Sequence, residues 1–106
     1  MADTQPSAIR KMLGDFAPKI VDLTDDVLFG DVWERPELSK RDRSLITISS
    51  LVTGGNFTQL ESHIRIGLSN GLNQDEILEE FTHLAFYAGW PKALSAIDVA
   101  KRVFSE

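Results

Sequence analysis

Three groups of residues carry side chains suited to acid–base or anion-binding chemistry. The first is Glu61-Ser62-His63-Ile64-Arg65. On a helix of ~3.6 residues per turn, His63 sits beside Leu60 and Ile64 at the edge of an apolar stripe, with Glu61 at the opposite edge. An imidazole half-sunk at such an edge can take a shifted pKa and exchange protons near neutrality; it can equally serve as a buried donor to a backbone carbonyl. The second group is Lys40-Arg41-Asp42-Arg43. Basic residues on the first turn of a helix face its positive end, which is unfavourable unless an anion sits there. Arg43 could hold a carboxylate through two parallel N–H bonds while helix amides add donors. Ordinary solvated charge is the plainer reading. The third group is Glu79, Glu80, His83, Phe86 and Tyr87, which share the helix face turned away from Ile77, Phe81 and Leu84. Glu79 and His83 at four-residue spacing would make a surface pair worth about 0.3 kcal/mol. Phe86 and Tyr87 gain nothing from water, so the same face reads better as a contact between subunits, with His83 structural or at a pocket rim. A metal site built from His63, His83, Glu61 and Glu79 would need two helices, because the histidines lack the spacing of a helical zinc pair.

The elements that must position these groups are helices. Prolines and glycines cut the chain into segments, and nearly all have helical period. Ile9, Met12, Leu13 and Phe16 stripe a short first helix, and Pro18 opens a second that runs to about Phe29. There Val21, Asp25 and Leu28 form an imperfect stripe. Gly30 to Leu38, with Trp33 and the Arg35-Pro36 break, reads as a connector. Ser39 caps the next helix, with Asp42 three residues on. Leu45 to Val52 is rich in Ile, Thr and Val, as a strand would be. Both of its alternating faces are equally apolar, however, while Leu45, Ile48 and Val52 fit one helical face that Gly54-Gly55 would end. Asn56 with Gln59, and Asn73 with Glu76, have the pattern of capping boxes. Phe57, Leu60, Ile64, Gly67 and Leu68 stripe one helix; Ile77, Phe81, Leu84 and Ala88 stripe the next, stopped by Gly89. Pro91 opens a last helix whose buried side is Ala93, Ala96, Ile97, Ala100 and Phe104, its alanines allowing close approach. The expectation is an all-α fold of five or six short helices in one domain, residues 1–106.

Composition narrows the function. The chain has 106 residues, enough for one core. Eleven basic residues stand against 16 acidic ones, a net charge of −5. That surface repels phosphate backbones, so no nucleic-acid partner is expected. No apolar run is long enough to span a bilayer, so no membrane partner is expected either. Met1 to Ser7 is polar, without a basic-then-apolar leader, which leads us to expect a cytoplasmic protein. There is no cysteine, which removes disulfides, thiolate metal sites and thiol redox chemistry together. No phosphate loop, dinucleotide fingerprint or calcium loop occurs.

The groups occur in a familiar order. Leu38-Ser39-Lys40-Arg41-Asp42-Arg43-Ser44-Leu45 resembles the L-S-x-R-D-R-S-L opening of the carboxymuconolactone decarboxylase family. Glu61-Ser62-His63-Ile64-Arg65, followed by Asn70-Gly71-Leu72 and Glu76-Ile77, is similar to that family's next helix pair. His83-Leu84-Ala85-Phe86-Tyr87-Ala88-Gly89-Trp90-Pro91-Lys92-Ala93 resembles its closing H-x-A-x-Y-A-G-x-P-x-A segment. With Met12-Leu13-Gly14, the resemblance covers most of the chain. It implies an alkylhydroperoxidase D-like helical domain, assembled as a homotrimer or homohexamer with pockets near the subunit contacts.

One branch of that superfamily reduces peroxides through a C-x-x-C pair followed by a histidine. With that histidine set on His63, Asn56 and Gln59 occupy the cysteine positions, and neither amide can form a thiolate. The other branch decarboxylates γ-carboxymuconolactone without a cofactor. Such a site needs a cation for the carboxylate, a donor facing the developing oxyanion, and a proton source. The resemblance implies that Arg43 seats a carboxylate and His63 supplies or relays the proton. Glu61 would orient His63 only through a neighbouring helix or water, and His83, Tyr87 and Trp90 would line the pocket. The expected function is thus a cofactor-free, metal-free lyase acting on a small unsaturated carboxylic acid or lactone. Two alternatives are an oligomeric binding or assembly protein, and a peroxide-related protein that borrows an external reductant.

Overall fold

The computed structural model describes residues 7–106, and every regular element among them is helical. The fold class is all-α. Residues 1–6, which carry most of the polar start behind the cytoplasmic expectation, lie outside the described residues. None of the described helices is long and apolar enough to cross a membrane. The chain divides into two compact units, Met1–Glu37 and Leu38–Glu106.

The described part of the first unit holds α1 (Ala8–Leu13), α2 (Pro18–Asp22), a π-helical stretch (Leu23–Phe29) and a 3-10 turn (Val32–Glu34). The Ser7 hydroxyl oxygen caps α1 by accepting from Arg10 N–H at 3.2 Å, and donates to Asp25 at 3.0 Å. Arg10 also reaches Asp22 and Asp25, at 3.3 and 3.4 Å. The stripe expected on α1 is not buried: Met12 is 72% exposed and Phe16 90%. The helix is only six residues long and ends at Gly14, whose positive φ of 52° turns the chain before Phe16 can join the face. Beyond Pro18 the helical path does continue to Phe29, but it widens at Leu23. The Thr24 hydroxyl, which donates to the Ile20 carbonyl at 2.7 Å, sits at this change. A register shift of this kind explains the imperfect stripe, with Val21 buried and Leu28 exposed.

The second unit is built from α3 (Lys40–Gly54), α4 (Phe57–Ser69), α5 (Gln74–Leu84) and α6 (Trp90–Phe104). Leu45–Val52 is helical, inside α3, because one face of it fills the core. That core joins Ile48 and Val52 of α3, Leu60 and Ile64 of α4, Ile77 and Phe81 of α5, and Ala96, Val99, Ala100 and Val103 of α6. Gly67 lets α3 and α4 approach closely: an added Cβ would meet Ile48 Cδ1 and Leu72 Cδ1, both at 3.1 Å. On α6 the buried face is Ala93, Ala96, Val99, Ala100 and Val103, with Ile97 and Phe104 at its margin rather than inside it.

Of the two expected capping boxes, one forms. Asn73 accepts from Glu76 N–H at 2.8 Å and Glu76 accepts from Asn73 N–H at 3.0 Å. Asn56 makes no side-chain cap. Its N–H, which Gln59 would have had to satisfy, already donates to Leu51 O at 2.8 Å, while Gly55 N–H donates to Val52 O. The left-handed Gly55 thus closes α3 in a Schellman motif that consumes the donor a second box needs. The α5 helix also stops earlier than its stripe, at Leu84. Phe86 N–H and Tyr87 N–H bond three residues back, to His83 O and Leu84 O, tightening the chain ahead of Gly89 at φ 107°.

Candidate functional site

A groove of about 420 Å³ runs between α3 and α5. Helical spacing builds it. Arg41, Leu45 and Ser49 recur every four residues along one side of α3, and Glu76, Glu79, Glu80, His83 and Leu84 fall three or four apart along one side of α5. Leu45 and Leu84 give it apolar walls, and the other lining residues are polar or titratable.

Arg41 stands at the first turn of α3 because Ser39 caps that helix, accepting from Asp42 N–H at 3.0 Å. Its guanidinium donates to Glu76 Oε2 and, at 3.3 Å, to Asp42 Oδ1. These bonds leave further N–H donors on the fork for a ligand. Glu76 closes the α5 capping box with one oxygen and receives Arg41 with the other. Its carboxyl is held below the usual carboxylate range, first by Asn73 N–H and then by Arg41, and Arg41 is raised in turn. The cation is therefore tied to a helix start.

Glu80 has the opposite environment. Its Oε2 accepts from the Ser49 hydroxyl at 2.6 Å, and its Oε1 is buried without a hydrogen-bond partner. Burial pushes its carboxyl up to about 7, with the Ser49 bond offsetting part of the rise. A carboxyl with that pKa is about half protonated at neutral pH. At the outer end lies His83, an exposed residue whose ring stands 4.9 Å from that of Tyr87.

The residues singled out in the sequence are dispersed. His83 lines the groove, and Tyr87 stacks on it from the turn beyond α5. Trp90 lines a separate pocket of about 90 Å³ together with Phe81, Ala85 and Leu94, and packs edge-on against Phe86 at 5.6 Å. Arg43 is two residues from Arg41 on α3, a rotation of about 200°, and does not line the groove. His63 is half-buried on α4, and burial lowers its pKa, so the ring is neutral near pH 7. It accepts a proton more readily than it gives one, and it too lies outside the groove lining. Glu61 pairs with Arg65 at 3.1 Å, and Arg65 also binds Glu106. Phe86 and Tyr87 are 75% and 77% exposed on the single chain. Among the described residues no three His, Asp or Glu side chains are grouped to hold a metal ion. Ser49 and Glu76 were not anticipated as site residues, and Arg41 and Glu80 were named only as members of their groups, without a role. Their signal was present in the four-residue spacing of 41, 45 and 49 set against that of 76, 80 and 84.

A family model described as the carboxymuconolactone decarboxylase family matches residues 18–102. A 4-carboxymuconolactone decarboxylase from Acinetobacter baylyi is 35% identical over 94 residues, covering 89% of this chain and 70% of that protein. The nitrosuccinic acid decarboxylase npaB of Metarhizium robertsii is 31% identical over 85 residues, covering 80% of this chain and 59% of that protein.

Proposed function

The chain belongs to the carboxymuconolactone decarboxylase family, and from that premise we propose that it is a decarboxylase working in the α3–α5 groove. Its substrate class is a small unsaturated carboxylic acid or lactone, such as γ-carboxymuconolactone, and it needs no cofactor. Both relatives are named for removing carbon dioxide from carboxylic acids of different skeletons.

The observation that carries the reading is the groove's pairing of an anchored cation with groups able to handle a proton. Arg41 seats a carboxylate, since a guanidinium held at its other N–H groups meets a carboxylate oxygen with little further ordering. Departure of carbon dioxide leaves an electron pair that the unsaturated ring spreads onto its carbonyl oxygen. The carbanion equivalent must then be protonated, and Glu80 and His83 are groove-lining groups that can serve. Leu45 and Leu84 keep part of the ring from water. Arg43 with His63 is the competing assignment. The burial of His63 disfavours it as the acid, because a neutral imidazole has no proton to spare beyond the one it keeps.

The test is direct. Purified protein mixed with γ-carboxymuconolactone, with no metal or cofactor added, should release carbon dioxide and form an enol-lactone with saturation kinetics. No release from this lactone or from a panel of unsaturated and nitro-substituted carboxylic acids would remove the proposal.

A further inference from the structure

Resting on that reading, we propose that Glu80 is the catalytic acid, delivering the proton that replaces the departing carbon dioxide, and that Ser49 is its positioning residue. Three observations carry this. Glu80 lines the same groove as Arg41, so a ligand seated on the guanidinium occupies the groove that Glu80 helps to wall. One of its oxygens is buried with nothing to accept from, which penalises the ionised form and favours the acid. The other is fixed by the Ser49 hydroxyl at 2.6 Å, so the proton is presented from a held rotamer.

Charge balance gives the same assignment. The titratable groups facing Glu80 in the groove are Arg41 from α3 and Glu76, Glu79 and His83 from its own helix; α6, also packed on α5, contributes none to the lining. Arg41 is already matched by Glu76. An arriving carboxylate adds to a lining that already sets three glutamates against one arginine, and Glu80, the one whose carboxyl burial has raised, takes up a proton most readily. Substrate binding thus loads the acid that the next step consumes. Burial has already brought its pKa to about 7, so the loading requires only a small further shift.

The step balances without an oxidant or reductant. The C–COO⁻ bond breaks, and its electron pair moves through the ring double bond to the carbonyl oxygen, giving a dienolate and free carbon dioxide. The dienolate re-forms its carbonyl as one ring carbon takes the Glu80 proton, making the new C–H bond and leaving Glu80 as carboxylate. A proton from solvent restores it. One carboxylate and one proton become one C–H bond and one carbon dioxide.

The experiment compares wild type with Glu80→Gln, an isostere of the protonated acid that keeps a partner for Ser49. Glu80→Gln should lose about 10²- to 10³-fold in kcat with KM little changed. The wild-type fall in kcat above pH 7 should be absent from whatever rate remains. Calorimetry with a saturated γ-lactone carboxylate, run at pH 7 in buffers of different ionisation enthalpy, should record proton uptake on binding to wild type and none with Glu80→Gln. Ser49→Ala should lower kcat and move the alkaline limb while leaving KM in place. Retained kcat and an unchanged pH profile in Glu80→Gln would overturn the role of Glu80 and leave the decarboxylase reading standing. Wild-type protein that decarboxylates nothing overturns both. Should Glu80→Gln not fold, carbon-13 NMR of the Glu80 carboxyl in analogue-bound wild type decides. Titration at or above pH 7 supports the role, and a group ionised below pH 5 overturns it.

Discussion

Glu76 and Glu80 are one helical turn apart on the same face, yet the fold drives their carboxyl groups in opposite directions. Glu76 is ionised because Asn73 N–H and Arg41 both stabilise its charge, whereas Glu80 is half-buried and has only the Ser49 hydroxyl. Two carboxyls pushed apart in this way are suited to two jobs, one holding a cation and one holding a proton. The divergence has a signed consequence for stability. Glu80 has a higher pKa folded than unfolded, so the folded protein binds more protons between about pH 4.5 and 7. Its contribution is therefore fully present at the acid side of that window and is lost as pH rises through about 7. Glu80→Gln should flatten this part of a plot of Tm against pH. A wild-type Tm contribution from Glu80 that grows with pH across the same window would contradict the raised pKa of its carboxyl. None of this could be read from the sequence, where Glu79 and Glu80 are neighbours of one type. Which of them is drawn in from solvent depends on how α5 is rotated against α3, and Phe81 and Ile77 in the core set that rotation.

At the level of elements, local chemistry was legible wherever it could act alone. The Ser39 cap, the Asn73–Glu76 box, Pro18 and Pro91 at helix starts and Gly55 at a helix end each satisfy nearby backbone groups, and each is where its residues indicate. The Asn56 box was misread because two local motifs competed for one N–H and the Schellman ending of α3 took it. This gives a paired prediction. Asn73→Ala should destabilise the protein by about 1 kcal/mol, the usual worth of an N-cap, while Asn56→Ala should cost much less because no cap is lost. Urea denaturation of the two variants checks it; equal losses would mean that Asn56 caps after all. The groove was the harder feature to foresee, because it belongs to a pair of helices. Arg43 drew attention by its type, but Arg41 is the arginine whose position on α3 turns it toward α5, and single-helix reasoning does not choose between them.

For the whole molecule, the exposed aromatic cluster is the main unspent surface. Phe86, Tyr87 and Trp90 are each more than half exposed, and the adjoining Leu94 is 56% exposed. We propose that copies of this chain meet there, as a trimer or hexamer, because apolar area of that kind gains free energy when removed from water. Tyr87 leans on His83, so such a contact would border the groove. Sedimentation velocity should give a multiple of the chain mass, reduced by Phe86→Asp; a monomer at micromolar concentration would withdraw the assembly. The central claim, however, is where decarboxylation occurs. The most direct test is kcat/KM for carbon dioxide release measured side by side in Arg41→Ala and Arg43→Ala. The groove assignment predicts that Arg41→Ala is the weaker enzyme by about 10- to 100-fold, the worth of a charged hydrogen bond to the substrate carboxylate. The reverse order, with Arg41→Ala near wild type and Arg43→Ala impaired, would contradict it.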